Sequence, residues 1–127
     1  MAGHDYDAII VGAGPVGGHL GRILSERGLH VLLLEEHKEI GKPFQCAGLV
    51  TPSAMNRVGL HDSVLTDVWG AKIHSPLGTP VEIGDPSILR THVVCRKLFD
   101  EGCVRQAIEA GATLWLDSRP TNAEADE

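Results

Sequence analysis

The chain has 127 residues, of which 43% are hydrophobic, and a formal net charge of −6 at pH 7. This length suits one domain with a substantial core, and the negative charge argues against nucleic acid or anionic lipid as an electrostatic partner. Because no apolar stretch approaches the ~20 residues of a membrane span and the N-terminus lacks a signal-peptide pattern, we expect a cytoplasmic protein with no transmembrane segment; peripheral contact with a membrane stays open.

The first predicted unit is a β-strand, a glycine-rich turn, an α-helix and a second β-strand. The apolar run at residues 7–11 is typical of a parallel strand that is buried on both faces. Gly12, Gly14 and Gly17 follow with G-x-G-x-x-G spacing. This spacing permits a tight turn, a close backbone approach to a pyrophosphate and close packing of helix on strand. Gly21 shares a helix face with Gly17, so that face can approach the sheet.

The helix and second strand of this unit lead to an acidic residue. We predict the helix over residues 15–27, and its free N-terminal N–H groups suit an anion. Residues 31–34 form the second strand, and Glu35 stands 23 positions after Gly12. That spacing is close to the one at which a carboxylate accepts hydrogen bonds from the ribose of a dinucleotide. A turn that only joins strand to helix would leave Gly21 and Glu35 unexplained, so the pattern predicts dinucleotide binding.

After Glu35 the pattern predicts shorter elements that are separated by turn residues. In chain order they are a loop at 36–50, a short helix that Thr51 caps and Gly59 ends, an antiparallel hairpin with strands at 71–73 and 81–83, a strand at 91–94, a helix at 96–110 and a strand at 112–116. We expect the last strand to lie beside the second one, as the third parallel strand. The final ten residues, 118–127, are polar and acidic, and we expect a disordered tail.

The predicted fold class is α/β, with a Rossmann-like parallel sheet built on the G-x-G-x-x-G unit and an inserted antiparallel hairpin. Residues 1–117 would form this dinucleotide-binding domain. It is incomplete, because a doubly wound dinucleotide fold has more parallel strands than the three predicted here.

The cysteines and histidines form neither a disulfide framework nor a metal-binding pattern. Three cysteines without a C-x-x-C pair suit a reducing compartment. Seven histidines are scattered without H-x-x-x-H spacing, so we expect no metal site.

Three stretches together resemble the N-terminal third of the geranylgeranyl reductase family. They are the glycine motif with Glu35, the loop EIGKPFQCAGLV at residues 39–50, and VVCRKLFD at residues 93–100. Members of this family are FAD-dependent oxidoreductases of the p-hydroxybenzoate hydroxylase and glutathione reductase type. The resemblance covers residues 6–116. Its glycine motif marks dinucleotide binding in general, whereas the loop is more specific.

The resemblance implies FAD as the cofactor and a set of contacts to it. The FAD pyrophosphate would face the glycine turn, and the adenosine ribose would face Glu35. Arg96 would reach the phosphate and ribityl region, where the alternative is a solvated residue at a helix start. The loop with Cys46 would pass beside the isoalloxazine ring, so Cys46 is either a catalytic proton donor or redox partner, or a small packing residue. The predicted cofactor-binding residues are Gly12, Gly14, Pro15, Gly17, Glu35, Glu36, Ala47, Gly48 and Arg96.

The resemblance also implies an activity for a full-length enzyme. In this family reduced flavin delivers a hydride to an isoprenoid carbon–carbon double bond, which implies a polyprenyl or other apolar substrate. The chain departs from the family at Glu36, where a basic residue is common, and it lacks the Gly-Asp motif that follows the arginine helix and holds the ribityl chain.

The residues of the substrate pocket are missing too, so we expect the isolated 127 residues not to turn over substrate. Two alternatives stay open: an NAD-binding dehydrogenase module, and a truncated chain, natural or engineered, that acts only as a nucleotide-binding module.

Overall fold

The structure is a computed structural model that describes residues 5–125. These residues fall into two compact units. The first unit takes in the chain up to Gln45 and from Lys97 onward, and the second is Cys46–Arg96. The glycine turn therefore belongs to the first unit and the Cys46 loop to the second.

Three helices, a 3₁₀ turn and eight strands are described. In chain order they are β1 (Ala8–Val11), α1 (Pro15–Glu26), β2 (Val31–Leu34), β3 (Leu49–Val50), α2 (Pro52–Val58), the 3₁₀ turn (His61–Ser63), β4 (Val64–Val68), β5 (Gly70–His74), β6 (Pro80–Gly84), β7 (Thr91–Val94), α3 (Arg96–Glu109) and β8 (Thr113–Trp115).

The first unit is built on a three-stranded parallel sheet with the order β1-β2-β8. The central strand places Leu33 opposite Ile10 on one side and opposite Leu114 on the other. The prediction of a third parallel strand beside the second is therefore confirmed. The buried cluster of this unit consists of Ala13, Val31, Leu33, Ile40, Val104, Ala107 and Ala112.

The prediction that the first strand is buried on both faces is wrong. Ile10 packs against the core, but Ile9 and Val11 on the opposite face are 58% and 66% exposed. The physical reason is that the buried cluster packs on only one face of β1, the face that carries Ile10. The side chains of β1 therefore alternate between the core and solvent.

Helix α1 packs through its glycines, as the sequence predicts. Gly17, Gly18 and Gly21 are all buried. A Cβ atom added to Gly21 would lie 3.2 Å from the side chain of Leu33 on β2, and one added to Gly18 would lie 2.9 Å from the backbone of Cys103 on α3. The face without side chains thus brings α1 close to both neighbours.

The second unit contains an antiparallel sheet, β3-β7-β4, and a separate two-stranded sheet of β5 and β6. The predicted hairpin is confirmed, with Ile73 opposite Val81. The predicted capping of α2 is also confirmed: the Thr51 hydroxyl accepts a hydrogen bond from the Ala54 amide at 3.2 Å, and Gly59 ends the helix with a φ of 68°.

Strands β3 and β4 were not predicted. The expected loop at 36–50 ends in β3, which has only two residues. Strand β4 carries the sequence VLTDV, and its pairing with β7 contains a register shift between Val64 and Thr66. Neither segment offers the sustained alternation from which a strand is predicted.

Candidate functional site

The glycine turn that follows β1 depends on two of its glycines. Gly12 has a φ of 99°, a conformation that residues with a side chain rarely adopt. Its amide donates a 2.7 Å hydrogen bond to the Leu34 carbonyl, which attaches the turn to the end of β2. A Cβ atom on Gly17 would lie only 2.0 Å from the Gly12 carbonyl oxygen. The start of α1 can therefore approach the turn only because residue 17 is glycine.

The outer side of the same turn faces open space. A Cβ atom built on Gly12 or Gly14 would meet no atom within 4 Å. Gly14 is the N-cap of α1 and supplies no side-chain cap, and the first turn of the helix carries no acidic residue. Pro15 stands at the first helical position, where its missing N–H leaves no hydrogen bond unmade. The positive end of the α1 dipole is thus available to an anion.

Glu35 follows β2 and turns its carboxylate toward the glycine turn. The Ala13 amide donates to Oε2 at 3.0 Å, and the His37 amide donates to Oε1 at 3.1 Å. The His37 ring nitrogen Nδ1 lies 2.6 Å from the same Oε1. Burial raises the pKa of Glu35, but the hydrogen bonds from His37 and Ala13 outweigh it and hold the pKa below its ordinary value. Glu35 is therefore an ionised hydrogen-bond acceptor at neutral pH.

Glu36 points to a different partner. Its half-exposed carboxylate lies 3.4 Å from Nη1 of Arg119. The structure thus brings Gly12, Gly14, Pro15, Gly17 and Glu35 together at the carboxyl ends of β1 and β2, and pairs Glu36 with a residue of the C-terminal segment.

The loop after Glu35 is attached to α3 through Lys97. The Lys97 ammonium donates to Glu39 at 2.8 Å, to the Ile40 carbonyl at 3.2 Å and to Glu101 at 2.5 Å. The hydrogen bonds to Glu101 and Glu39 raise the pKa of Lys97, and the bond from Lys97 lowers the pKa of Glu39. The loop is therefore held by an exposed charge network.

The remaining predicted site residues are Cys46, Ala47, Gly48 and Arg96, and all of them belong to the second unit. Gly48 contacts both Cys46 and Arg96. Its φ is 77°, and a Cβ atom here would lie 2.5 Å from the Val94 carbonyl oxygen and 3.4 Å from Cγ of Arg96. Its amide donates to Sγ of Cys46 at 3.4 Å. Cys46 is exposed and forms no disulfide, and Ala47 is exposed as well. Within this unit, Cys46 and Arg96 are both neighbours of Gly48.

Sequence reasoning missed two partners of Glu35. Ala13 was passed over because it lies between the motif glycines and contributes only its backbone N–H. His37 lies in the predicted loop at 36–50, yet it bonds Glu35 through both its backbone and its ring. Asp and Asn side chains commonly accept a hydrogen bond from the N–H two residues later, and the same spacing from Glu35 to the His37 amide is the signal that could have indicated His37.

Residues 5–125 contain neither a candidate metal site nor a candidate membrane-spanning helix. No three His, Cys, Asp or Glu side chains come together in a group that could hold a metal ion. Among these residues there is also no helix with the length and apolar character needed to cross a membrane.

Comparison with protein families identifies the cofactor of this chain. The FAD binding domain family matches residues 5–75, which is more than half of the chain. The chain belongs to the FAD binding domain family. The prediction of FAD, in preference to NAD, is thereby confirmed.

Relatives of this FAD-binding chain include archaeal reductases. It is 36% identical over 120 residues to the digeranylgeranylglycerophospholipid reductase of Methanosarcina acetivorans, a match that covers 91% of this chain and 30% of the relative. It is 34% identical over 127 residues to digeranylgeranylglycerophospholipid reductase 2 of Methanopyrus kandleri, with 97% and 31% coverage. The chain thus spans about 30% of the length of these curated relatives.

Two solved structures superimpose on most of this chain. A geranylgeranyl bacteriochlorophyll reductase-like protein from Thermoplasma acidophilum superimposes with a TM-score of 0.79 and 28% identity, over 88% of this chain and 30% of that protein. A variant of halogenase PltM in complex with FAD superimposes with a TM-score of 0.76 over 97% of this chain and 30% of the halogenase. The identity to the halogenase is 18%, so that likeness shows the fold alone. The resemblance to geranylgeranyl reductases and the α/β fold class are both confirmed.

Proposed function

We propose that the first unit holds the adenosine diphosphate half of FAD within a larger flavin-dependent reductase. The observation that supports this most strongly is the pairing of an open glycine turn with an ionised carboxylate that is bonded to the same turn. The Ala13 amide at 3.0 Å from Glu35 Oε2 joins the two.

The pyrophosphate is assigned to the turn and the start of α1. A Cβ atom on Gly12 or Gly14 would occupy space that the chain leaves empty, which is the space that a phosphate close to the backbone requires. Pro15 begins the helix and Gly17 lets it approach. The backbone amides and the helix dipole would then offset the negative charge of the phosphates.

The ribose is assigned to Glu35, because an ionised carboxylate accepts hydrogen bonds from hydroxyl groups. Glu36 is assigned to the adenosine side as the next residue in the chain. A carboxylate at Glu35 would also repel a 2′-phosphate, which disfavours NADP as a ligand of this turn.

For the second unit we propose contacts to the flavin half of the cofactor. Arg96 would pair with phosphate or with the ribityl chain, because a cation at a helix start gains nothing from the helix dipole and is better placed beside an anion. Ala47 and Gly48 would present backbone groups to the isoalloxazine ring. Cys46 would donate the proton that completes saturation of the substrate, with its Sγ oriented by the Gly48 amide at 3.4 Å.

The proposed activity of the whole protein is reduction of isoprenoid double bonds. The chemistry that FAD supplies when bound is hydride transfer to a carbon–carbon double bond. Two relatives are named digeranylgeranylglycerophospholipid reductases, so a polyprenyl lipid or another apolar molecule is the proposed substrate. We propose a cytoplasmic location with peripheral contact to the membrane that holds such a lipid.

Purification of the 127-residue chain tests the cofactor assignment. We expect yellow protein, or colourless protein that becomes yellow with FAD, and release of FAD on denaturation. Colourless protein that cannot be reconstituted with FAD yet binds NAD would contradict the proposal. After chemical reduction, the same protein should form no saturated product from a geranylgeranyl lipid. Product formation would contradict this expectation, because it would show that the two-thirds of the relatives that this chain does not match are dispensable for the reaction.

A further inference from the structure

We propose that His37 is a positioning residue that holds the Glu35 carboxylate in the orientation in which it receives one ribose hydroxyl of the dinucleotide. This inference rests on the proposed function of Glu35. It assigns His37 a role that is separate from the roles proposed for the glycine turn and for Glu35. The carboxylate is the binding group; the histidine acts through it.

The hydrogen bonds of Glu35 define what the carboxylate can still accept. Its two oxygens offer about four acceptor positions. Among the described residues, Ala13 occupies one on Oε2, and the backbone and ring of His37 occupy two on Oε1. One position on Oε2 is left, on the oxygen that the glycine turn already holds. The carboxylate can thus receive a single hydroxyl group.

Burial shows why the ring matters. The Glu35 side chain is only 13% exposed, whereas that of His37 is 43% exposed. Without the ring, Oε1 would keep only the hydrogen bond from the His37 amide, and the carboxylate could rotate away from the turn toward solvent. The ring, bonded at 2.6 Å through Nδ1, prevents that rotation.

The backbone of this segment is fixed without help from the ring. The Glu35 amide donates to the Trp115 carbonyl at 2.9 Å, the Ser118 amide donates to the Glu35 carbonyl at 2.9 Å, and the Asp117 amide donates to the His37 carbonyl at 3.0 Å. A change of the His37 side chain should therefore leave the path of the chain intact. It should alter only the orientation of the Glu35 carboxylate.

The geometry also identifies Nδ1 as the ring atom that holds the Glu35 carboxylate. Since an ionised carboxylate only accepts hydrogen bonds, Nδ1 must carry the proton that lies between the ring and Oε1. Asparagine bears an N–H at its δ position, the same number of bonds from Cα as Nδ1, whereas glutamine bears its N–H one atom further out. The two amides therefore form a matched pair of test substitutions.

The binding experiment uses the 127-residue chain and FAD, with affinity measured by calorimetric titration. His37→Ala and His37→Gln should weaken binding about fivefold to tenfold, as for net loss of one typical hydrogen bond. His37→Asn should bind within about twofold of the unsubstituted chain. His74→Ala, an exposed position on β5, serves as the control and should change nothing. In a Glu35→Ala background, His37→Ala should have no further effect.

Equal losses in His37→Asn and His37→Ala, or no loss in either, would overturn the inference. A chain that binds FAD but is indifferent to Glu35→Ala would instead contradict the proposed role of Glu35. A second readout needs no ligand: NMR titration of the Glu35 carboxyl should show its pKa rising in His37→Ala and remaining low in His37→Asn. An unchanged pKa in His37→Ala would show that the ring does not hold the carboxylate.

Discussion

The buried amide of Ala13 donates a 3.0 Å hydrogen bond to Oε2 of Glu35 across 22 positions of the sequence. Ala13 is 1% exposed, so water cannot replace this acceptor. The glycine turn and the end of β2 are therefore coupled, and the residue assigned to the ribose also stabilises the turn assigned to the pyrophosphate.

Substitution Glu35→Ala should have two measurable effects. The free energy of unfolding should fall by about 1–3 kcal/mol, because the Ala13 amide is left buried without a partner. FAD binding should weaken by about 1–3 kcal/mol through loss of the hydrogen bond from the ribose. Denaturant unfolding and calorimetric titration measure the two quantities. Glu109→Ala, at an exposed position on α3, is the control. Unchanged affinity in Glu35→Ala would remove this residue from the site.

Substitution Gly17→Ala should destabilise the fold. Its Cβ atom would lie 2.0 Å from the Gly12 carbonyl oxygen, and neither backbone can move without disturbing the turn. We expect a loss of about 1–3 kcal/mol in the free energy of unfolding, as for overpacking of a tight contact. Gly14→Ala, where the added atom meets nothing within 4 Å, should unfold at the same denaturant concentration as the unsubstituted chain. Equal stability of all three proteins would contradict the close approach.

Stability should depend on pH through Glu35. Its pKa in the folded chain lies below the ordinary value of 4.5. A carboxyl group with a lowered pKa stabilises the fold above its unfolded pKa, and this contribution is lost as the pH falls through the folded pKa. The difference in unfolding free energy between the unsubstituted chain and Glu35→Gln should therefore be largest near neutral pH and shrink below about pH 4.5. A difference that is constant from neutral to acidic pH would argue against an ionised Glu35.

Substitution Lys97→Met should loosen the loop that follows Glu35. Lys97 bonds Glu39 and the Ile40 carbonyl from the start of α3, so its loss should speed amide hydrogen exchange in residues 38–42. Lys72→Met, which removes the partner of Glu82 on the separate hairpin, is the matched control and should leave that loop unchanged. Equal exchange rates in both variants would show that the network does not hold the loop.

Much of the first unit could be predicted because its determinants are local. Glycine spacing and the apolar runs at β1, β2 and β8 act within a few residues, as does the Thr51 cap in the second unit, and the parallel order follows from the crossover connections of such units. The placement of Glu35 after β2 belongs to the same pattern.

The rest depends on contacts between residues that are distant in sequence. The exposure of Ile9 and Val11 depends on which face of β1 the rest of the chain covers, and a local apolar run does not report that packing. Strands β3 and β4 are short or irregular and exist through their pairing with β7. None of these relations has a local sequence pattern.

We propose that the glycine turn of the first unit receives the pyrophosphate of FAD. Calorimetric titration of FAD into the unsubstituted chain and into Gly14→Ala tests it most directly, because the added methyl group disturbs no residue of the protein and enters only the space assigned to the phosphates. We predict one FAD per chain and a loss of at least about tenfold in affinity in Gly14→Ala, with unfolding unchanged. Equal affinity in the two proteins would contradict the claim.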